Sequence, residues 1–289
     1  MKKIAILGCE NSHANSFLNF IRENEEFRDV SVVGVYSDDR QAAEKLHATF
    51  DVPVMDGYAD AVGQIDGLII TARHGDNHFK YAKPYIESGI PMFIDKPITV
   101  SEEDAIEFMT RLKERGVRIT GGSSLKQDAM VRQLKQEALD KVGGNTIGGY
   151  VRAPYLSQSE YGGFYFYAQH LVEMVCEIFG RYPISVTAKQ NGDQMHVLFH
   201  YEAYDCVGLF CDKNHMYYAS RMAESNASSF VITMSRSWFY GEFKEFYELL
   251  SGAEQTADYS DFISPVFIMN AIMRSLASGK EENVRRVQL

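Results

Sequence analysis

Three short stretches of the chain carry side chains able to do chemistry. The first is Gly8-Cys9-Glu10-Asn11-Ser12-His13, directly after the apolar run at residues 4–7. A strand, a glycine turn and a helix in that order admit a dinucleotide pyrophosphate to backbone amides and to the helix N-terminus. Against the pattern G-x-G-x-x-G only the first glycine is present, with Glu10 and His13 in the other two places. Glu10 adds a side chain and a negative charge beside the pyrophosphate. The stretch therefore reads equally well as a tight corner capped by Asn11 and Ser12.

The second stretch ends the next β-branched run, Val35-Tyr36-Ser37-Asp38-Asp39-Arg40. An acid in the place of Ser37 would accept ribose hydroxyls. Ser37 with Arg40 nearby suits a 2′-phosphate and Asp38 suits a free ribose, so NAD and NADP both stay open. Asp39 and Arg40 also read as a solvated turn that starts a helix. The third stretch centres on Lys96, between an apolar run and Pro97. At the carboxyl end of a parallel strand, where open α/β sheets bind ligands, its ammonium would polarise a substrate hydroxyl or carbonyl. It would also hydrogen-bond a nicotinamide ribose.

Other reactive side chains point to less. His74, Asp76 and His78 alternate within one turn, and His196 and His200 straddle a strand-like run. Side chains four apart on a strand lie too far apart to grip one ion, so no metal is expected. The four cysteines, Cys9, Cys176, Cys206 and Cys211, form no CxxC pair and are expected as reduced, buried thiols. Cys9 as a nucleophile is the sharper alternative.

Elements with two periodicities must position these groups. Strands are predicted over residues 3–7, 30–36, 52–55 (a weak edge), 65–71, 91–94 and 117–120. Helices alternate with them at 16–26, 40–50, 78–88 and 101–115, the last capped by Ser101 and closed by Gly116. That alternation predicts a doubly wound, Rossmann-like parallel sheet over a first domain, residues 1–120. From residue 121 the rhythm changes. Gly143-Gly144 and Gly148-Gly149 read as turns, and residues 186–238 read largely as strands. Helices are expected at 168–179, 243–250 and 263–277. A second, α+β domain on a mainly antiparallel sheet is thus expected over 121–289, for substrate binding and oligomerisation.

Composition limits the partners. Of 289 residues 45% are hydrophobic and 24% charged, the balance of a folded globular protein. A formal charge of −10 argues against nucleic acid, which needs basic patches. No apolar run reaches the length of a membrane span, and the short run near residue 4 is too brief for a signal peptide, so a cytoplasmic protein is expected.

Two longer segments carry a family likeness. Thr71-Ala72-Arg73-His74-Gly75-Asp76-Asn77-His78, then Ser88-Gly89-Ile90-Pro91-Met92-Phe93-Ile94-Asp95-Lys96-Pro97, resemble the Gfo/Idh/MocA oxidoreductases. In that family a strand ends in a T-P-N-x-x-H-like turn and a later one in E-K-P, here Asp95-Lys96-Pro97. The resemblance runs through the whole chain in order and spacing. It implies a nicotinamide cofactor held by Gly8, Glu10, Asn11, Ser12, His13, Ser37, Asp38, Arg40, Thr71, His78, Asp95 and Lys96. It also implies a cis peptide before Pro97. Further on, Gly162-Gly163 through Phe166 to His170 is similar to the family's G-G-x-x-x-D-x-x-x-H segment. His170 matches the histidine, while Phe166 holds the place of the acid, so the catalytic set reduces to Lys96 and His170. Glu173, one helical turn on, is expected to orient the imidazole. Tyr161 and Tyr167 offer faces to a sugar-like ring, and Lys126 offers a cation to substrate.

The resemblance implies an NAD(P)-dependent oxidoreductase acting on a secondary hydroxyl of a sugar, cyclitol or related polyol. The alternative is a cofactor-poor, non-catalytic or regulatory ligand-binding relative, to which Glu10, His13 and Phe166 point. A homo-oligomer, dimer or tetramer, is expected through the C-terminal sheet, with Met195, Val197, Phe199, Leu209 and Tyr217 as its apolar surface.

Overall fold

The computed structural model describes residues 1–212 and 214–289. The chain divides into two compact units. The first comprises Met1–Gly122 and Phe239–Tyr259 together with Leu289, and the second Ser123–Trp238 and Ser260–Gln288.

Five strands form the sheet of the first unit: β1 (Lys2–Leu7), β2 (Val30–Tyr36), β3 (Gly67–Ile70), β4 (Met92–Asp95) and β5 (Ile119–Gly122). They run parallel in the order β2-β1-β3-β4-β5. β3, β4 and β5 are buried along their whole length, which is why they read as continuous apolar runs. The edge strand expected at residues 52–55 shrinks to one parallel bridge, Val35 with Val54. Pro53 lacks an amide hydrogen and breaks the ladder there. Its carbonyl still accepts from Val35 N (2.8 Å), and Met55 N donates to Val35 O (2.9 Å). Counted with that bridge, the strands take the order of a dinucleotide-binding sheet. The connections leave β1 towards opposite edges, so the switch point lies between β1 and β3.

The helices follow their caps. α1 (Ser12–Glu23) starts earlier than its apolar spacing suggests, because the Asn11 side chain accepts from His13 N and caps it. α2 (Arg40–Phe50) is capped by Asp39. α3 (Asp76–Ala82) is a short helix continued by a 3-10 segment, Lys83–Ser88, where the expected single helix is interrupted at Pro84. α4 (Glu102–Glu114) carries the Ser101 cap read from the sequence, and Glu102, Glu103 and Asp104 in its first turn suit the helix dipole.

The second unit holds a seven-stranded sheet. Its strands are β6 (Thr146–Tyr155), β7 (Ser185–Asn191), β8 (Gln194–His200), β9 (Asp205–Asp212), β10 (Tyr217–Ala223), β11 (Ala227–Ile232) and β12 (Glu282–Asn283), in the order β11-β10-β6-β9-β8-β7-β12. All pairs are antiparallel except β6 with β9. The helices are α5 (Ala129–Leu139), unread in the sequence, then α6 (Tyr165–Phe179), α7 (Arg236–Leu250) and α8 (Tyr259–Ser278). Gly148 and Gly149 lie within β6 and make no turn. A Cβ on Gly149 would stand 2.3 Å from Phe179 Cζ and from Ser220 O, so glycine lets α6 close onto the sheet.

One expectation about this sheet fails. Met195, Val197, Phe199 and Tyr217 are buried in one core cluster with Leu171, Val175, Ile268 and Ile272 of α6 and α8. They offer no outer surface. Side chains alternate across a strand, so the open face carries their neighbours. Register places Tyr150, Leu198, Val207, Leu209 and Tyr218 there, all half-buried.

Residues Phe239–Tyr259 complete the first unit. Phe243 packs 4.8 Å from Phe27 and 5.3 Å from Phe17, ring centre to ring centre. Phe17→Ala in this cluster would cost about 3–5 kcal/mol. Among the described residues no helix is long and apolar enough to cross a membrane.

Candidate functional site

The turn after β1 sits at the switch point. Gly8 has φ +94°, and a Cβ there would lie 2.2 Å from Ala72 N. Only glycine allows β1 and the chain after β3 to approach so closely. Thr71 is fully buried and locks the junction, its Oγ1 donating to Gly8 O at 2.6 Å. Asn11 does three jobs at once. Its Oδ1 accepts from His13 N, and its Nδ2 donates to Thr71 O (2.6 Å) and Asp95 Oδ2 (2.9 Å). Ser12 is exposed in the first turn of α1, a turn without acidic residues. A helix start with no acid in its first turn, beside a glycine that brings backbone close, is the kind of cradle that suits a pyrophosphate, though Asn11 already takes one of its amides.

The ribose end differs from the usual pattern. Ser37 is buried and donates to Glu10 Oε2 at 2.6 Å, while Arg73 N donates to Glu10 Oε1 at 2.9 Å. The carboxylate is thereby held at the ends of β2 and β3. Asp38 turns elsewhere, accepting from Tyr36 Oη (2.6 Å) and Lys80 Nζ (3.3 Å). Arg40, expected beside a 2′-phosphate, is exposed and paired with Asp56 (3.1 Å) and Glu44 (3.3 Å). Its guanidinium is turned to those carboxylates and to Met55 O and makes no contact with Ser37, so the structure does not bring Arg40 to the site.

The strongest electrostatics surround Lys96. Asp95 is fully buried; its Oδ1 accepts from Lys96 N at 2.7 Å, and its Oδ2 lies 3.4 Å from His13 Nδ1. His13 Nε2 lies 3.2 Å from Glu242 Oε2. Burial opposes charging of His13, yet Asp95 and Glu242 outweigh it and leave its pKa raised. Burial draws the Lys96 ammonium below the usual lysine range, against the pull of Asp95 and Glu242. The Lys96–Pro97 peptide is cis, as the resemblance implies. His78 is fully buried with Nε2 2.8 Å from Ala72 O, and burial lowers its pKa. It braces the chain after β3 and faces no solvent. Cys9 is buried, its thiol pushed up to about 12 by desolvation, and donates to Tyr36 O, which removes the nucleophile reading.

The second unit carries a separate constellation. His170 on α6 is 8% exposed, and its Nδ1 lies 2.7 Å from Ser123 Oγ. Tyr167 stands edge-on to it at 5.2 Å, Tyr217 at 6.2 Å, and Tyr167 also meets His215 at 6.2 Å. Phe166, in the acid's place, packs 5.2 Å from both Tyr161 and Tyr167. Tyr155 and Tyr165 spend their hydroxyls on Gln190 and Asn270. Tyr167 therefore keeps company with His170, Tyr161 lies beyond Phe166, and Tyr155 and Tyr165 pack with the core. Lys126 is half-buried, its ammonium 5.9 Å from the Phe262 ring centre.

Glu173 requires a correction. It does not orient His170. Its carboxylate accepts from Gln169 Nε2 (3.2 Å) and Arg181 Nη1 (3.0 Å), and Arg181 also holds Glu177. A buried carboxylate is claimed by the nearest guanidinium, because an unmatched charge there is costly. A partner of the imidazole is Ser123, next after the end of β5, a residue with no motif of its own in the sequence. Glu242 and His215 lay in stretches with no motif. Among the described residues no cluster of three or more His, Cys, Asp or Glu could hold a metal ion.

Known proteins agree with this architecture. Residues 2–123 match the model of an oxidoreductase family with an NAD-binding Rossmann fold. The uncharacterized oxidoreductase YhhX of Escherichia coli (strain K12) is 27% identical over 124 residues, 39% of this chain and 35% of that protein. The match thus spans about a third of that relative's length. The myo-inositol dehydrogenase of Corynebacterium glutamicum superposes with a TM-score of 0.84 at 13% identity, covering 99% of this chain and 100% of that one. GenD2 from gentamicin A biosynthesis, solved in complex with NAD, gives a TM-score of 0.84 at 15% identity over 98% and 96%. At such identities these two likenesses establish the fold. Residues 2–123 thus match the Gfo/Idh/MocA oxidoreductase family model, whose NAD-binding Rossmann fold is the one that the glycine turn and the Asp95-Lys96-Pro97 block imply.

Proposed function

We propose that this protein is an NAD(P)-dependent dehydrogenase that oxidises a secondary hydroxyl of a sugar, cyclitol or related polyol. The observation that carries this reading is Lys96. It is a buried cation at the carboxyl end of a parallel strand, with a lowered pKa, beside a glycine turn shaped for a pyrophosphate. When bound, the nicotinamide supplies the hydride acceptor. Gly8, the α1 N-terminus, Glu10 and Ser37 would hold the dinucleotide. Lys96 stabilises negative charge developing on the substrate oxygen, and His170, set by Ser123, takes the hydroxyl proton. Tyr161 and Tyr167 supply the faces against which a polyol ring packs. The inositol dehydrogenase among the structural relatives motivates the cyclitol class. A cytoplasmic location and self-association through the open face around Tyr150, Leu198 and Val207 belong to the same reading.

Phe166 favours a second reading. With an aromatic ring in the acid's place, the fold would bind a ligand without turnover. Calorimetric titration with NADH and NADPH, followed by a screen of polyols for cofactor reduction, separates the two. Micromolar cofactor binding with turnover that Lys96→Ala abolishes supports the dehydrogenase. Cofactor binding with no turnover across the screen moves the assignment to a binding protein.

A further inference from the structure

The fold ordinarily discriminates its two dinucleotides with an acid at the end of the second strand. Here that place holds Ser37, and the two acids after it are committed elsewhere. Asp38 is bound by the Tyr36 and Tyr81 hydroxyls and by the Lys80 ammonium, one donor more than Glu10 carries, and Asp39 caps α2 by accepting from Ala42 N. The carboxylate that does reach the end of β2 comes from the glycine turn. Glu10 arrives from the place of the second fingerprint glycine, and Ser37 Oγ and Arg73 N hold its two oxygens at 2.6 and 2.9 Å. A carboxylate has about four lone-pair sites, so two such bonds leave acceptor capacity for hydroxyls.

We propose that Glu10 replaces the missing acid of the second strand and makes this protein select NAD(H) over NADP(H). This rests on the reading of the chain as a dinucleotide-binding enzyme. A ribose diol donates to a carboxylate, whereas a 2′-phosphate offers acceptors and like charge. The two cations of that turn are each set against a carboxylate, Arg40 against Asp56 and Glu44 and Lys80 against Asp38. The departure that appears to damage the fingerprint thus relocates one of its functions. Ser37 becomes the positioning residue for the relocated acid.

The test is calorimetry with NADH and with NADPH on the intact protein, its Glu10→Gln variant, and a double variant, Glu10→Gly with Ser37→Asp. Wild type should bind NADH at least about tenfold more tightly than NADPH, the scale of one hydrogen bond to a charged group. Glu10→Gln should erase most of that ratio, and the double variant, with its acid back on the strand, should restore it. Equal binding of both dinucleotides by wild type, unchanged in Glu10→Gln, overturns the proposal and leaves dinucleotide binding intact. Binding of both only after Glu10 is removed shows an obstruction and also overturns it. Binding by no variant, in protein shown to be folded by circular dichroism, removes the dehydrogenase reading together with the proposal.

Discussion

His13 Nδ1 lies 3.4 Å from Asp95 Oδ2, which ties the first turn of α1 to the carboxylate preceding Lys96. The third glycine of the fingerprint ordinarily serves close packing of helix on strand. This chain fills that space with an imidazole and makes it ionic, since Glu242 stands at 3.2 Å on the other ring nitrogen. Phe17 and Phe239 pack edge-on to the ring at 5.8 and 4.7 Å. A position that reads as a lost cofactor residue is a structural link of the first unit.

Removing that link should be costly and pH-dependent. His13→Ala leaves the buried carboxylates of Asp95 and Glu242 without their shared partner, at about 3–5 kcal/mol. The folded pKa of His13 is raised above 6.5. Its contribution is therefore fully present below pH 6.5 and fades as pH rises through the raised value. Urea unfolding of wild type and variant across this range should show a gap that narrows towards alkaline pH. A gap independent of pH would mean that His13 is held neutral and acts by packing alone.

Lys96 should set an alkaline limit to turnover. Burial lowers its pKa from 10.5, so the cation is lost, and with it rate, at a pH below that value. Lys96→Met should lower kcat by about 10²–10³ while NADH still binds. Lys96→Arg, whose charge does not titrate, should retain a fraction of the rate and lose the alkaline fall. A pH profile of kcat for the three proteins decides it, and an alkaline limb that persists in the arginine variant would assign the titration to another group.

The sheets were legible because burial on both faces leaves a plain mark. β3 and β4 read as apolar runs, and Ser101 with Gly116 marked the two ends of α4. The outer strand at residues 52–55 misled, because a β-branched, apolar stretch does not reveal that Pro53 interrupts its ladder. Gly148-Gly149 misled in the opposite direction, since a glycine required by an approaching Phe179 looks in sequence like a glycine required by a turn. In the site, Gly8, Asp95 and Lys96 announced themselves by their order along the chain. Their partners did not. Glu242 reaches His13 from 229 positions away in the sequence, with no local pattern to mark it. Glu173 shares a helix with His170, but spacing on a helix cannot show that Arg181 has already claimed the carboxylate.

That claim can be tested by stability rather than activity. Glu173→Gln should destabilise the protein by about 3 kcal/mol, the low end for a broken buried pair, because Arg181 keeps Glu177. Affinity for dinucleotide and for polyol should be unchanged. A fall in polyol affinity with stability intact would return Glu173 to the substrate site.

Ser123 should act on chemistry only through His170. Its hydroxyl lies 2.7 Å from Nδ1, and it also accepts from Leu125 N at 3.3 Å, so backbone and imidazole share one oxygen. An imidazole that takes a proton at one nitrogen works best when the other is held by a hydrogen bond. Ser123→Ala should therefore lower kcat by about tenfold, within the range attributable to general base catalysis, with KM for the polyol little changed. The acid limb of the kcat profile should move, and Ser123→Thr, which keeps the hydroxyl, should recover most of both. Loss of stability with kcat and the acid limb unmoved would reduce Ser123 to a helix cap and leave His170 to find its orientation from Tyr167 and Tyr217.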